Sequence, residues 1–214
     1  MLSHPDENEI PEKTEIFSLF PTPVLKKILM LGFTDEQIDI FKNSKQRPNA
    51  ANTSSANNNI LDLECMQDFK NILEKQVQQY FTDILGAPEE TKPYITQSWL
   101  NWTTKDQRHH AHSHQNSIVS GVFYIETDDE DKIYFYNPGF SGKEIRITTN
   151  NFNTFNSPTW WISADAMSLI LFPSTLIHEV ALKTSPGVRI SLSFNTFVRG
   201  SLGSDNDLNY LPLR

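Results

Sequence analysis

From Tyr94 to Val198 the chain is cut into roughly eight short apolar segments with turn residues between them. They run Tyr94–Thr103, Ser117–Ile125, Lys132–Tyr136, Lys143–Thr148, Thr159–Ser163, Met167–Phe172, Leu176–Leu182 and Val188–Val198. Most are rich in β-branched and aromatic residues, which suit a pleated, half-buried surface. The acidic run Asp128–Asp131 and the triplet Asn137-Pro138-Gly139 fall where turns belong. No helical period intervenes between the segments. That excludes alternating β-α units and leaves an antiparallel sandwich or jelly roll.

The first 92 residues read differently. Residues 1–15 are polar and acidic and are expected to form a mobile arm. Ile16–Leu25 is apolar but broken by Pro21 and Pro23, which fits an edge strand only. Thr34-Asp35-Glu36-Gln37 has the form of a capping box opening a short helix to about Asn43, with Phe33 and Ile38 placed as a hydrophobic staple. Residues 44–59 are rich in Asn, Ser and Ala and read as a mobile loop. The strongest helical stripe spans residues 60–85, through Leu61, Cys65, Phe69, Leu73, Val77, Phe81 and Ile84, and Gly86 and Pro88 end it. The expected product is one mainly β domain over residues 1–214 with N-terminal helices (α+β): a strand and helical layer at 16–92, a β core at 93–198 and a polar tail at 199–214.

Composition narrows the function. A net charge of −8 with pI near 5.2 speaks against a general nucleic-acid binder, since such affinity rests on Lys and Arg neutralising phosphates. No apolar run reaches the 18 or so residues of a membrane span. The N-terminus lacks the basic-then-apolar layout of a signal peptide. One cysteine, Cys65, cannot form an internal disulfide and suits a reducing cytoplasm.

Chemistry concentrates in His109-His110-Ala111-His112-Ser113-His114, which holds four of the six histidines. On an extended chain, side chains at i and i+2 share a face. His110, His112 and His114 could therefore face one cavity, with His109 turned away. His178 follows 64 residues after His114, and Arg189 lies 11 residues beyond that. This order suits non-haem iron oxygenation. Two ligands on one strand face and a third from a distant strand complete one face of an octahedron and leave the other positions open. An arginine one strand further on can bind a dicarboxylate's distal carboxylate bidentately. Arg189, Ser191 and Ser193 share one face of their strand. Asn101 and Trp99, on the strand before the histidines, are candidates to line the same pocket. His110 with His112 preserves the same spacing and stays open as the ligand pair.

Three motifs in this order, His-x-His-x-Asn-Ser-x-x-Ser-Gly-Val-Phe-Tyr, Leu-Phe-Pro-Ser-x-x-x-His and Arg-Ile-Ser-Leu-Ser-Phe-Asn, resemble the 2-oxoglutarate/Fe(II)-dependent oxygenases of marine phages and bacteria, relatives of the prolyl-hydroxylase superfamily. The resemblance covers residues 93–198. It implies a double-stranded β-helix (a cupin-like jelly roll) with helices on one face. It implies a dioxygenase that hydroxylates a C–H bond, with Fe(II), 2-oxoglutarate and dioxygen consumed to give succinate and CO2, and ascorbate as a supporting reductant. It implies His112, His114 and His178 as metal ligands and Arg189 on the cosubstrate's distal carboxylate. Tyr124 falls where some relatives contact that carboxylate, and Ser191 and Asn101 are candidates beside it. His114 stands where the superfamily usually carries Asp. Three neutral imidazoles offset less of the metal charge, so zinc, copper or nickel compete better here.

Two rivals belong to other classes: a non-catalytic cupin-like module that binds metal or a small acid, and a structural β-sandwich whose histidines are surface loop. The acidic run Asp128–Asp131 is expected as a solvated turn. His109 and His110 are expected to lie behind the ligands or in solvent. Trp160 and Trp161 are expected to divide between core and substrate mouth, and segments 44–59 and 137–160 to shape specificity. The primary substrate, a protein residue or a small molecule, is unreadable, and a homodimer is left open.

Overall fold

The computed structural model describes residues 14–140 and 147–213. The acidic segment 1–13 and most of the strand expected at Lys143–Thr148 lie outside the described residues. In chain order come β1 (Leu25–Ile28), α1 (Asp35–Asn43), β2 (Gln46–Pro48), β3 (Thr53–Ser55), α2 (Gln67–Asp83), β4 (Lys92–Thr103), β5 (His109–His112), β6 (Val119–Glu126), β7 (Lys132–Tyr136), β8 (Thr159–Ser163), β9 (Ser168–Pro173), β10 (His178–Val180), β11 (Arg189–Leu202) and β12 (Leu211–Leu213).

Two sheets face each other. The larger is ordered β1-β9-β6-β11-β4-β3-β2, with β12 added to β11, and the smaller is β5-β10-β7-β8. Every pairing between these strands is antiparallel. Period-two alternation divides the large sheet's side chains. Phe123, Leu169, Leu171, Leu192 and Phe194 point outward and pack with Phe41, Phe69, Leu73, Val77 and Phe81 of the helices. Val122, Tyr124, Ile170 and Phe172 point inward, toward Ile133, Phe135 and Leu176. The outer face thus builds the main core, and the inner face is released for a site. Gly121 is required where it stands. It pairs with Phe194, and a Cβ there would lie 2.1 Å from the Phe194 ring.

The capping box on α1 forms in both directions: Gln37 N–H donates to Thr34 Oγ1 at 3.2 Å, and Thr34 N–H to Gln37 Oε1 at 3.0 Å. The staple does not. Phe33 packs edge-on against Phe41 instead, at 4.9 Å between centroids, and Ile38 is exposed. The stripe from residue 60 is not one helix. Leu63 is extended (ψ 143°), and the Leu61 N–H is taken by Ser98 Oγ on β4, so two short 3-10 turns precede α2.

Three further expectations are corrected. The proline-broken segment is not itself the edge strand, which begins at Leu25, after Pro23. Residues 44–59 are not a mobile loop but hold the β2–β3 hairpin, which extends the large sheet. Polar side chains do the pinning that apolar ones do elsewhere: Leu100 N–H donates to Ser55 Oγ at 3.0 Å, and Asn52 is buried. The tail from Arg199 is partly strand, because β11 continues to Leu202 and receives β12.

Candidate metal centre

The inner face carries the histidines. His178, on β10, pairs with His112 on one side and Phe135 on the other. His114 lies just past β5, and its N–H donates to Ser174 O at 2.8 Å. Ser174 is fully buried and bridged to Ser117 and Ser120 through their hydroxyls, at 2.7 and 2.8 Å. Asn116 turns the chain with a left-handed φ of 56°. This serine cluster fixes His114 against the start of β6.

His112, His114 and His178 each offer a ring nitrogen, and these atoms lie within 4.8 Å of one another. Ring centroids are 4.4 Å apart for His112 and His178, 5.2 Å for His114 and His178, and 5.0 Å for His112 and His114. Two of the rings are oriented by backbone. His112 Nδ1 bonds the His110 carbonyl at 2.8 Å, and His178 Nδ1 the Leu176 carbonyl at 3.0 Å. A carbonyl only accepts, so the proton sits on Nδ1 and the Nε2 lone pair is left for a metal. Burial holds the rings neutral. It pushes His178 down to about 3 and His114 to about 4, with neighbouring imidazoles adding to the effect, and it lowers His112 as well.

His109 is not turned away. It lines the same cavity and stacks on His112 at 4.6 Å, whereas His110 is exposed. The cause is a bulge. His112 pairs with His178 and His109 with Val180, so three steps on β5 match two on β10. The extra residue shifts the phase and brings His109, rather than His110, to the metal side.

Beyond the imidazoles, Trp99, Asn101, Val122, Tyr124, Ser191 and Ser193 line the cavity. Asn101 Nδ2 donates to Ser193 Oγ at 3.1 Å. Among the described residues, Asn101 Oδ1 and Tyr124 Oη are the buried side-chain atoms without a hydrogen-bond partner. Burial raises the Tyr124 phenol, so it remains a donor. Three neutral imidazoles and an orphaned phenol donor suit a divalent metal carrying an oxygen-rich ligand.

Arg189 lies next on this face, one step past Ser191, and is 2% exposed. It is already paired: Nη1 donates to Asp131 Oδ1 at 2.5 Å, and Nη2 reaches the Ala181 carbonyl at 3.4 Å. The acidic run is therefore not a solvated turn throughout. Asp131 is buried, held by Arg189, by the Asp128 N–H at 2.9 Å and by Lys183 Nζ at 3.6 Å. Lys183 itself is 1% exposed, although no local sequence pattern marks it for burial. Trp160 and Trp161 are both half-exposed, so neither is core, and Lys132 stacks on Trp161 at 4.5 Å.

Residues 97–195 match the family described as "Putative 2OG-Fe(II) oxygenase". No curated protein matches the sequence. Solved structures share the fold. An oxidoreductase of the 2OG-Fe(II) oxygenase family from Burkholderia pseudomallei is 15% identical, with a TM-score of 0.54 over 75% of this chain and 76% of that one. HygX from Streptomyces hygroscopicus, with nickel and 2-oxoglutarate bound, is 10% identical, with a TM-score of 0.57 over 82% of each chain. A Pseudomonas putida prolyl-4-hydroxylase is 11% identical, with a TM-score of 0.52 over 84% of this chain and 94% of that one. Their shared architecture is the double-stranded β-helix, and the two facing sheets described above are its form in this chain. Residues 97–195, just under half of the chain, thus match the 2OG-Fe(II) oxygenases, a family of oxidoreductases whose metal is Fe(II) and whose cosubstrate is 2-oxoglutarate, and the fold is the one these solved structures share.

Proposed function

We propose that the protein hydroxylates a C–H bond of its primary substrate: substrate, dioxygen and 2-oxoglutarate give the alcohol, succinate and CO2. The observation that carries this is a three-imidazole face on the wall of an inner cavity, with a buried arginine just behind the cavity-lining Ser191 on the same face of β11. Iron, when bound, supplies the activation of dioxygen. The chain's residues do the rest. His112, His114 and His178 would hold the metal on one face. Arg189 would receive the distal carboxylate of 2-oxoglutarate, with the Tyr124 hydroxyl donating beside it. Ser191 and Asn101 would meet the remaining oxygens. The apolar walls, Val122, Ile133 and Phe172, keep water from the reacting centre. The same fold holds nickel and 2-oxoglutarate in HygX.

A second cavity, of about 740 Å3, supports an entrance for the primary substrate. It lies between the segment 17–24 and the region from Tyr136 to Trp160, and it reaches Phe135 and Leu176, which border His178. None of its lining residues is charged. The exposed Phe17, Phe20 and Phe155 flank it. An uncharged small molecule or protein side chain suits it better than a nucleic acid, consistent with the net charge of −8. The hairpin at 44–59 is not among its lining residues.

The test is turnover. Iron-loaded protein with 2-oxoglutarate and air should release succinate, faster with apolar peptides or small molecules that fill the second cavity, and His178→Ala should not. A folded protein that binds metal and 2-oxoglutarate yet forms no succinate with any of them would be the non-catalytic binding module instead.

A further inference from the structure

Three charged side chains are buried together just beyond Ser191: Arg189 at 2%, Asp131 at 4% and Lys183 at 1% exposure. Asp131 is shared between the two cations. Its Oδ1 accepts from Arg189 at 2.5 Å, while Oδ2 accepts the Asp128 N–H at 2.9 Å and faces Lys183 Nζ at 3.6 Å. Lys183 also donates to Ser185 Oγ at 2.8 Å and pairs with Asp128, whose side chain is 40% exposed and so partly screened by water. With Asp128 counted, two carboxylates face two cations, but the one carboxylate on Arg189 is Asp131, and that is shared with Lys183. Arg189 thus keeps part of its charge for a further carboxylate.

We propose that Lys183 is a positioning residue for the cosubstrate. By drawing on the second oxygen of Asp131, it lets that carboxylate hold Arg189 in place without cancelling its charge. The guanidinium thus stays able to grip one more carboxylate. Without Lys183, Arg189 and Asp131 would form a closed neutral pair, and an incoming dicarboxylate would add an unbalanced buried charge. This rests on the reading that Arg189 binds the distal carboxylate of 2-oxoglutarate.

The experiment compares two keto acids by isothermal titration into the nickel-loaded full chain: 2-oxoglutarate, and 2-oxobutyrate, which lacks the distal carboxylate. Their affinity ratio reads that carboxylate alone. Lys183→Met should cut the ratio roughly tenfold, the scale of one unit charge acting across several ångströms at an intermediate dielectric. Affinity for 2-oxobutyrate should stay unchanged, and Lys183→Arg should retain the ratio. Adding Asp131→Asn to Lys183→Met removes the opposing anion, leaves Arg189 as the single buried charge, and should restore the ratio. A purely structural role predicts no such restoration. An unchanged ratio in Lys183→Met, or a double variant as weak as the single, overturns the proposal. Should Lys183→Met not fold, the double variant is compared with Asp131→Asn alone. With Asp131 gone Lys183 has no shared carboxylate to draw on, so the two ratios should be equal, and a higher ratio in Asp131→Asn alone overturns the proposal. A wild-type chain with no preference for 2-oxoglutarate would instead refute the assignment of Arg189.

Discussion

Arg189→Met separates the two duties of that side chain, pairing with Asp131 and receiving the cosubstrate. The substitution keeps an unbranched stem and removes the guanidinium. Asp131, 4% exposed, loses its 2.5 Å bond but keeps the Asp128 N–H at 2.9 Å and the Lys183 ammonium at 3.6 Å. Removing one partner of a buried pair costs about 3–5 kcal/mol. With Lys183 still in place the loss should fall at the lower end, about 3 kcal/mol, read as a shift of the urea midpoint at constant slope. Arg189→Met with Asp131→Asn should recover most of that stability, because no buried carboxylate is left short of a partner. Cosubstrate binding should not recover. A desolvated carboxylate left unpaired costs about 2–5 kcal/mol, or roughly 30-fold to 4,000-fold in affinity at about 1.4 kcal/mol per decade. A double variant that regains stability and also binds 2-oxoglutarate like the wild type would refute the assignment of Arg189.

Three other outcomes follow from the geometry. Gly121→Ala drives a Cβ to 2.1 Å from the Phe194 ring and should destabilise the chain by about 1–3 kcal/mol, seen as a lower urea midpoint; an unchanged midpoint would mean the ring can move aside. His114→Asp restores a carboxylate to the metal face and should shift preference from copper and nickel toward iron, measured by competition between metals under anaerobic conditions. In the metal-free protein, His109 and His178 sit near 3 and His114 near 4, against an ordinary 6.5, because burial disfavours their charged form. Below about pH 6.5 the unfolded chain therefore binds more protons than the folded one. Stability should be full above that pH and be lost progressively toward pH 4. His178→Leu should flatten part of the slope in a Tm-against-pH series, and an unchanged slope would contradict the neutral, buried state of the ring.

What could be read in advance was whatever local pattern decides. Short β segments between turn residues gave the two-sheet architecture, because a strand's period and length are written in its own residues. The convergence of His112, His114 and His178 is legible because two share a strand-end motif and the third lies on a later strand. The failures are all tertiary. Asp131 looks like a solvated acid until Lys183, more than 50 residues away in sequence, closes over it. His109 takes the face opposite to the one a regular strand would give it, because a bulge, set by pairing with β10, changes the phase of β5. The hairpin at 44–59 has no apolar period to announce it, since its order comes from buried Asn52 and Ser55 bonding to a neighbouring strand. The helical stripe from residue 60 was overruled by one hydrogen bond, Leu61 N–H to Ser98.

The central claim is that three imidazoles and a buried arginine serve one metal-bound keto acid. Adding Fe(II) and then 2-oxoglutarate anaerobically, and following the visible metal-to-ligand charge-transfer absorption, tests it most directly. The account predicts a band that saturates with 2-oxoglutarate, vanishes in His178→Ala and moves to much higher 2-oxoglutarate in Arg189→Met. A well-folded, iron-loaded protein that develops no band would contradict it.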